Sequence, residues 1–298
     1  MSKRESITRC NLIIKKLRKQ SANFKEILEY LSSESELQSY NFNISKRTFQ
    51  RDLDDIRSIY NIDIRFDTSN KVYFIDNEQQ PEVNERLLEA FDIFNALNIS
   101  DRLSNYIQLE QRKPMGTENL FGLLHAVRNR FLISFTYQKY WDGVYSERKV
   151  EPYFLKEFKN RWYIIANDLK DNHIKSFALD RLTHLDISQK KFTYPSNLNI
   201  NELYSNCFGI TGSSEKEPVD VILSFNPIQG KYMKSLKLHH SQEELVDNEV
   251  EYRIKLKIFI TYDFIMELLS LGDTVKVLKP KSLVSEIKSV YQKALNQY

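Results

Sequence analysis

The chain is 298 residues long, 41% hydrophobic and 28% charged, with only 7 glycines and 7 prolines, the composition of an ordered protein with room for two or three domains. No apolar run approaches the roughly 20 residues of a membrane span, and the N-terminus lacks the apolar core and small-residue cleavage site of a secretory signal, so a cytoplasmic location is expected. Two distant cysteines, Cys10 and Cys207, cannot frame a disulfide scaffold or a four-ligand zinc site.

The net charge is only +3, but residues 1–20 hold seven Lys and Arg against Glu5 alone. A basic end on a nearly balanced chain suggests a local anionic partner. Within residues 7–18, Ile7, Cys10, Ile14 and Leu17 fall at helical intervals, which predicts an amphipathic helix. Asn23 followed by Glu26 is a capping-box-like start for a second helix through Ile27 and Leu31. Ser45 is a good N-cap for a third, in which Phe49, Leu53, Ile56 and Tyr60 recur at spacings of 4, 3 and 4. The opposite side of that helix carries Lys46, Arg47, Thr48, Gln50 and Arg51, types that reach phosphates and base edges in a major groove. Asp52 and Asp54 would repel phosphate if they faced it, and Asp52 is expected to pair with an arginine of its own domain. Residues 62–66 and 71–75, joined by a polar Asp-Thr-Ser-Asn turn, form a hairpin. Three helices and a two-stranded wing make a winged helix-turn-helix, here assigned to residues 1–77 and to double-stranded DNA.

Residues 78–116 are expected to be a helical linker. Val83, Leu87, Leu88, Phe91, Phe94 and Leu97 lie at helical spacing, and six acidic against two basic residues over 82–110 exclude a nucleic-acid surface. The apolar stripe suits packing, a hinge or a dimer interface. A break follows at 113–117. A helix at 118–130 then leads into strands at 131–137, 148–157, 162–166 and 174–179, with 182–188 as a last strand. A helix and about five strands fit a small Sm-like or SH3-like barrel over residues 117–195. Along its fourth strand, Lys175, Phe177, Leu179 and Arg181 share one parity and hence one face. That face suits a flat anion such as a nucleotide, and it equally suits a core strand with charged ends reaching solvent.

The remaining residues, 196–298, give strand 219–225, helix 227–236, strands 244–247 and 251–260, helix 262–271, strand 275–278 and a final helix 281–296. The order β-α-β-β-α-β is that of a ferredoxin-like sandwich. The fold class is therefore α+β and multidomain.

Trp162-Tyr163-Ile164 with the tract from Lys175 to Leu182 resembles the signature of WYL domains, Sm-like barrels found mostly in bacterial transcription regulators. The tract from Ile133 to Tyr137 and the one from Arg148 to Tyr153 are similar to the same pattern. Ser45-Lys46-Arg47-Thr48-Phe49-Gln50-Arg51-Asp52 resembles the winged helices attached to such domains, and the C-terminal order resembles their extension domain, which contributes to dimer contacts. The sequence departs from the family at Ile164, where the name has Leu, and at Lys175, where an Arg is usual; lysine keeps the charge and loses the bidentate fork. The resemblance implies a ligand-sensing barrel that takes a nucleotide or oligonucleotide effector, and it adds Tyr137, Arg148 and Tyr153 to Lys175, Phe177 and Arg181 as pocket residues.

Catalytic patterns are missing from the sequence. There is no phosphate-binding GxxxxGK[ST], no GxGxxG, no HExxH and no GxSxG. His239-His240 are adjacent and poorly placed for joint ligation. No enzyme, cofactor or metal is expected. The expected function is a homodimeric DNA-binding transcription regulator whose operator affinity follows ligand occupancy of the barrel. The alternative is a subunit of a larger complex that senses single-stranded nucleic acid, with Tyr137, Tyr153, Tyr163 and Phe177 as stacking platforms.

Overall fold

Local sequence signals decide where each element of the N-terminal half begins and ends. The computed structural model describes residues 3–38, 40–99, 116–141, 143–196, 198–212 and 217–298. It divides into two units, Met1–Gln111 and Arg112–Tyr298. Most of the break expected at 113–117 lies outside the described residues, as do residues 100–112 of the expected linker.

In the first unit, α1 (Lys3–Lys19) buries Cys10, Ile13, Ile14 and Leu17. Helix α2 (Phe24–Gln38) starts with the expected reciprocal box: the Asn23 amide donates to Glu26 Oε2 at 2.8 Å, and the Glu26 amide donates to Asn23 Oδ1 at 3.0 Å. Helix α3 (Lys46–Tyr60) is capped by Ser45, whose Oγ accepts the Thr48 amide at 3.2 Å. It ends at Asn61, in the left-handed region at φ 52. Strands β1 (Ile62–Asp67) and β2 (Val72–Glu78) pair antiparallel as the wing, and a bridge from Ala22 to Tyr73 ties the wing to the α1–α2 loop. Phe49, Ile56, Tyr60, Ile62 and Tyr73 close one core with α1 and α2.

Helix α4 (Pro81–Ile99) occupies the linker. It buries a narrower stripe than its apolar spacing suggests, through Asn84, Leu88 and Asn95. Asn84 Nδ2 donates to the Tyr60 carbonyl at 2.9 Å, and Asn95 Nδ2 donates to Thr8 Oγ1 at 3.0 Å. Leu88, which enters the winged-helix core, and two asparagines that satisfy a buried backbone carbonyl and a buried hydroxyl hold this helix to the winged helix.

The second unit opens at Gly116, whose φ of +81 and close approach to the 179–180 backbone leave no room for a side chain: a Cβ there would meet the Leu179 carbonyl carbon at 2.5 Å. A 3-10 turn (Thr117–Asn119) leads to α5 (Leu120–Asn129). Strands β3 (Phe131–Gln138), β4 (Tyr145–Phe158), β5 (Arg161–Asp168), β6 (His173–Ala178) and β7 (Leu182–Lys191) follow. They form one antiparallel sheet in the order β6-β5-β4-β3-β7. The long β4 shifts register between Pro152 and Phe154, a bulge that bends it so that one strand serves both halves of the rolled sheet. Leu123, Ile133, Phe135, Val150, Ile164, Ala166 and Leu179 fill the interior under α5.

After α6 (Ile200–Ser205) come β8 (Val219–Phe225), α7 (Pro227–Ser235), β9 (Glu243–Asp247), β10 (Tyr252–Ile258), α8 (Tyr262–Ser270), β11 (Val275–Lys279) and α9 (Lys281–Leu295). The sheet order β11-β8-β10-β9 is the one a ferredoxin-like β-α-β-β-α-β chain produces. Alternating Val221, Leu223 and Phe225 on β8 and Tyr252, Ile254, Leu256 and Ile258 on β10 face Phe264, Leu268 and Leu283.

Candidate DNA-reading helix and ligand cavity

The α3 helix presents two unlike faces. Phe49, Asp52, Ile56 and Tyr60 are buried, while Lys46, Arg47, Gln50 and Arg51 are exposed. The buried carboxylate explains the asymmetry. Arg9 of α1 grips Asp52 with two parallel bonds, Nε to Oδ2 and Nη2 to Oδ1, both 2.7 Å, with both side chains fully buried. Burial works to lower the Arg9 pKa, and the Asp52 bonds and charge outweigh it and raise it. The acid in the middle of a basic helix is thus neutralised inside the fold and turned away from any phosphate. Thr48 is half-buried, with its hydroxyl 3.1 Å from Ser45 Oγ at the helix start, so it belongs more to the cap than to the open face. Lys46 and Gln50 line a groove of about 440 Å³ together with Phe66 and Lys71 of the wing.

The barrel's site follows from strand register. Phe135 lies opposite Arg148, Val150 opposite Asp168, and Ala166 opposite Lys175. Tyr137, Arg148, Asp168, Lys175 and Phe177 therefore share the inward parity of the core positions near one end of the barrel. Rings of Phe135, Tyr137 and Phe177 meet edge-on, at 5.3 Å for Phe135–Phe177 and 5.1 Å for Tyr137–Phe177. The Tyr137 hydroxyl accepts the Ala178 amide at 3.2 Å, and burial raises its pKa. A cavity of about 770 Å³ is lined on its polar side by Lys139, Arg148, His173, Lys175 and Ser176, and on its apolar side by Tyr137, Trp141, Phe177, Tyr204 and Ile210.

Asp168 is the residue that sequence reading missed. It lies beyond the strand expected at 162–166, yet β5 runs through it, and it is wholly buried. Its Oδ2 accepts Arg148 Nη1 at 2.8 Å and Lys175 Nζ at 2.8 Å, and its Oδ1 accepts the Lys170 amide at 3.1 Å. Lys175 is also paired with Asp171. Burial pushes the Lys175 pKa down, and the bonds to the two aspartates overcome this and raise it. The two cations are positioned by acids before any ligand arrives, with spare N–H donors on each. Arg148 also lines a second cavity of about 580 Å³ with Lys149, Lys170 and His184.

Two expected pocket residues lie elsewhere. Strand β6 ends at Ala178, and Leu179–Arg181 turn as a 3-10 segment, which breaks the parity that had placed Arg181 with Lys175. Arg181 instead stacks its guanidinium 4.2 Å from the Tyr140 ring centroid. Tyr153 sits at the β4 bulge in a separate cluster with Leu132 and Phe192, and its hydroxyl donates to Glu151 at 3.1 Å. Tyr153, Tyr163 and Phe177 are buried and cannot all serve as open stacking platforms; the β3–β4 hairpin exposes Tyr140, Trp141 and Tyr145 instead. His239 and His240 stack at 4.1 Å, and burial, with His240 beside it, pushes His239 down to about 4. Among the described residues, Cys10, Asp52 and Asp55 are grouped closely enough to hold an ion, but Asp52 is taken by Arg9 and burial pushes the Cys10 thiol up to about 12.

The described residues thus give a winged helix, a small rolled barrel with a cationic-aromatic cavity, and a ferredoxin-like sandwich. The chain carries a WYL domain followed by a WCX domain: residues 118–187 match the WYL domain and residues 217–295 match the WCX domain. Among solved structures it is similar to proteasome accessory factor B/C (PafBC) of Arthrobacter aurescens, at 20% identity and a TM-score of 0.34, over 95% of this chain and 45% of that one. It is also similar to a CRISPR Cas-related protein, at 15% identity and a TM-score of 0.39, over 61% of this chain and 52% of that one. The chain thus spans about half the length of each of these structures. No curated protein matches it. Among the described residues, no helix is long and apolar enough to cross a membrane.

Proposed function

We propose that this protein is a cytoplasmic, dimeric DNA-binding transcription regulator in which α3 reads a duplex operator and the barrel cavity senses a nucleotide-like anion. It works by binding, not by catalysis. The observation that carries the DNA reading is the Arg9–Asp52 pair, which withdraws Asp52, the acid next to Arg51, and leaves Lys46, Arg47, Gln50 and Arg51 exposed at the start of α3. Those side chains match phosphates and the guanine and adenine edges of a major groove. The ligand reading rests on Arg148 and Lys175, held beside aromatic rings with donors to spare. A ligand that binds the DNA-competent and DNA-incompetent states with different affinity would shift operator affinity by at most that difference.

Binding of purified protein to sheared genomic duplex, followed by sequencing of retained fragments and footprinting, tests the reading. An inverted repeat with half-sites whole helical turns apart is expected for a dimer. Retention without sequence preference, by a protein that light scattering shows to be monomeric, would sink it. The exposed Tyr140, Trp141 and Tyr145 beside the cavity favour the second reading, a single-strand-sensing subunit of a larger complex. Preference for single strands over any duplex would select that reading.

A further inference from the structure

One wall of the cavity comes from outside the barrel. Leu203, Tyr204, Ile210, Thr211 and Gly212 line it, and they belong to the segment that runs from α6 toward the C-terminal sandwich. This segment is fastened on two sides. Toward the barrel, Ser176 of β6 donates its hydroxyl to the Ile210 carbonyl at 2.7 Å. Toward the sandwich, Asp263 in the first turn of α8 receives three bonds on Oδ2: the Ile210 amide at 3.1 Å, the Thr211 amide at 3.0 Å and the Thr211 hydroxyl at 2.8 Å. Gly209 makes this grip possible. Its φ is +90, and a Cβ there would lie 2.7 Å from Asp263 Oδ2.

Packing follows the same route. Phe208, just before the glycine, meets Phe158 of β4 at 5.7 Å and Phe264 of α8 at 5.6 Å, both edge-on. The Phe259 amide donates to the Asn206 carbonyl at 2.8 Å. A ligand touching Ser176 and Thr211 therefore touches one group bonded to Ile210, whose amide Asp263 holds, and one bonded to Asp263 itself, and α8 is part of the core that faces β8 and β10.

We propose that the cavity is shared between the barrel and the wall at 203–212 that Asp263 anchors to the sandwich, and that Asp263 is the positioning residue through which its occupation is felt in α8. This rests on the reading of the cavity as a ligand site. The carboxylate holds the amides of Ile210 and Thr211 and so fixes how far the wall stands from Ser176, Lys175 and Phe177. Closing on a ligand moves or stiffens the wall, and the three bonds carry that change to the first turn of α8. By linkage, whatever rigidifies α8 tightens the cavity by the same factor.

Hydrogen exchange of the full chain tests this, with and without the thymidine dinucleotide pTpT, in the parent, Ser176→Ala, Asp263→Ala and the double variant. Without ligand, Ser176→Ala should speed exchange in residues 262–270 severalfold when Asp263 is present and add nothing when it is Ala, because contacts that share one path are not additive. Equal factors in both backgrounds overturn the coupling. With pTpT, read through Trp141 fluorescence, the parent should gain protection in 262–270. Asp263→Ala should bind about tenfold more weakly, the scale of losing a hydrogen bond to a charged group, and gain none. Protection confined to the barrel in the parent also overturns the proposal. No binding of pTpT to the parent refutes the nucleotide reading alone, and the ligand-free cycle still decides the coupling. Should Asp263→Ala fail to fold, Thr211→Val removes one of the three bonds and must give a smaller change of the same sign; an unchanged exchange pattern in that variant counts against the proposal.

Discussion

Arg9 and Asp52 lie 43 residues apart in sequence and meet through two 2.7 Å hydrogen bonds with no solvent exposure of either side chain. They join α1 to the centre of α3. A buried pair of this kind is costly to form and much costlier to break from one side, since the surviving charge has no water to turn to.

Asp52→Ala and Arg9→Ala should therefore each destabilise the N-terminal unit by about 3–5 kcal/mol. Replacing both with apolar residues of similar volume should recover most of that loss. Urea denaturation of the full chain, followed by far-ultraviolet circular dichroism, measures this. Single variants that melt with the parent would mean that the pair contributes nothing to the fold.

On the open face of α3, Arg47→Ala and Arg51→Ala should each weaken operator binding by about 1–3 kcal/mol if they bond base edges. Neither should alter the melt, because both side chains are exposed. A salt-controlled duplex titration of the double variant decides: unchanged affinity removes α3 from the interface.

The Asp168 carboxyl gives a pH-dependent prediction. Burial works to raise its pKa, and bonds from Lys175 and the Lys170 amide, with the charges of Lys175 and Arg148, leave it lowered. A carboxyl lowered on folding stabilises the fold above its unfolded pKa of about 3.9, and the contribution is lost as pH falls through the folded value. Asp168→Asn should thus be less stable than the parent at neutral pH, with the gap closing in acid. Denaturation midpoints at pH 7 and pH 3 provide the check; a gap that does not depend on pH contradicts the ion-pair role.

Aromatic residues near the cavity should separate by role. Trp141 is 87% exposed and lines the cavity, so Trp141→Ala should weaken pTpT binding by about 1–3 kcal/mol, the range for a stacked base, with little change in stability. Tyr153→Ala should do the reverse, costing about 3 kcal/mol of folding free energy while leaving pTpT affinity unchanged. Calorimetric binding and thermal melts on both variants distinguish the two.

Much of the fold was legible because its signals are local. The Asn23–Glu26 box, the Ser45 cap and the β8–α9 alternation each follow from a few neighbouring residues. Pocket residues Tyr137, Arg148, Lys175 and Phe177 were legible from strand parity and family resemblance, since parity survives along an unbroken strand. Arg181 failed because a 3-10 turn begins after Ala178, and Tyr153 proved part of a separate cluster at the β4 bulge. Neither irregularity leaves a clear trace in residue types. Asp168 and the 209–212 wall were missed for another reason: their partners, Arg148 and Asp263, are 20 and about 53 residues away, and only tertiary packing pairs them.

Because Arg148 and Lys175 already rest on Asp168 and Asp171, few small ions need condense around the cavity, and few are set free when a ligand enters. The exposed cations of α3 are in the opposite position, since binding a duplex there expels counterions in proportion to the phosphates neutralised. Rising ionic strength should strip the protein from DNA while the cavity stays filled, so the two binding events have different slopes against salt. Ligand occupancy can then be measured at salt concentrations where no operator complex survives, which separates sensing from DNA binding without altering a single residue.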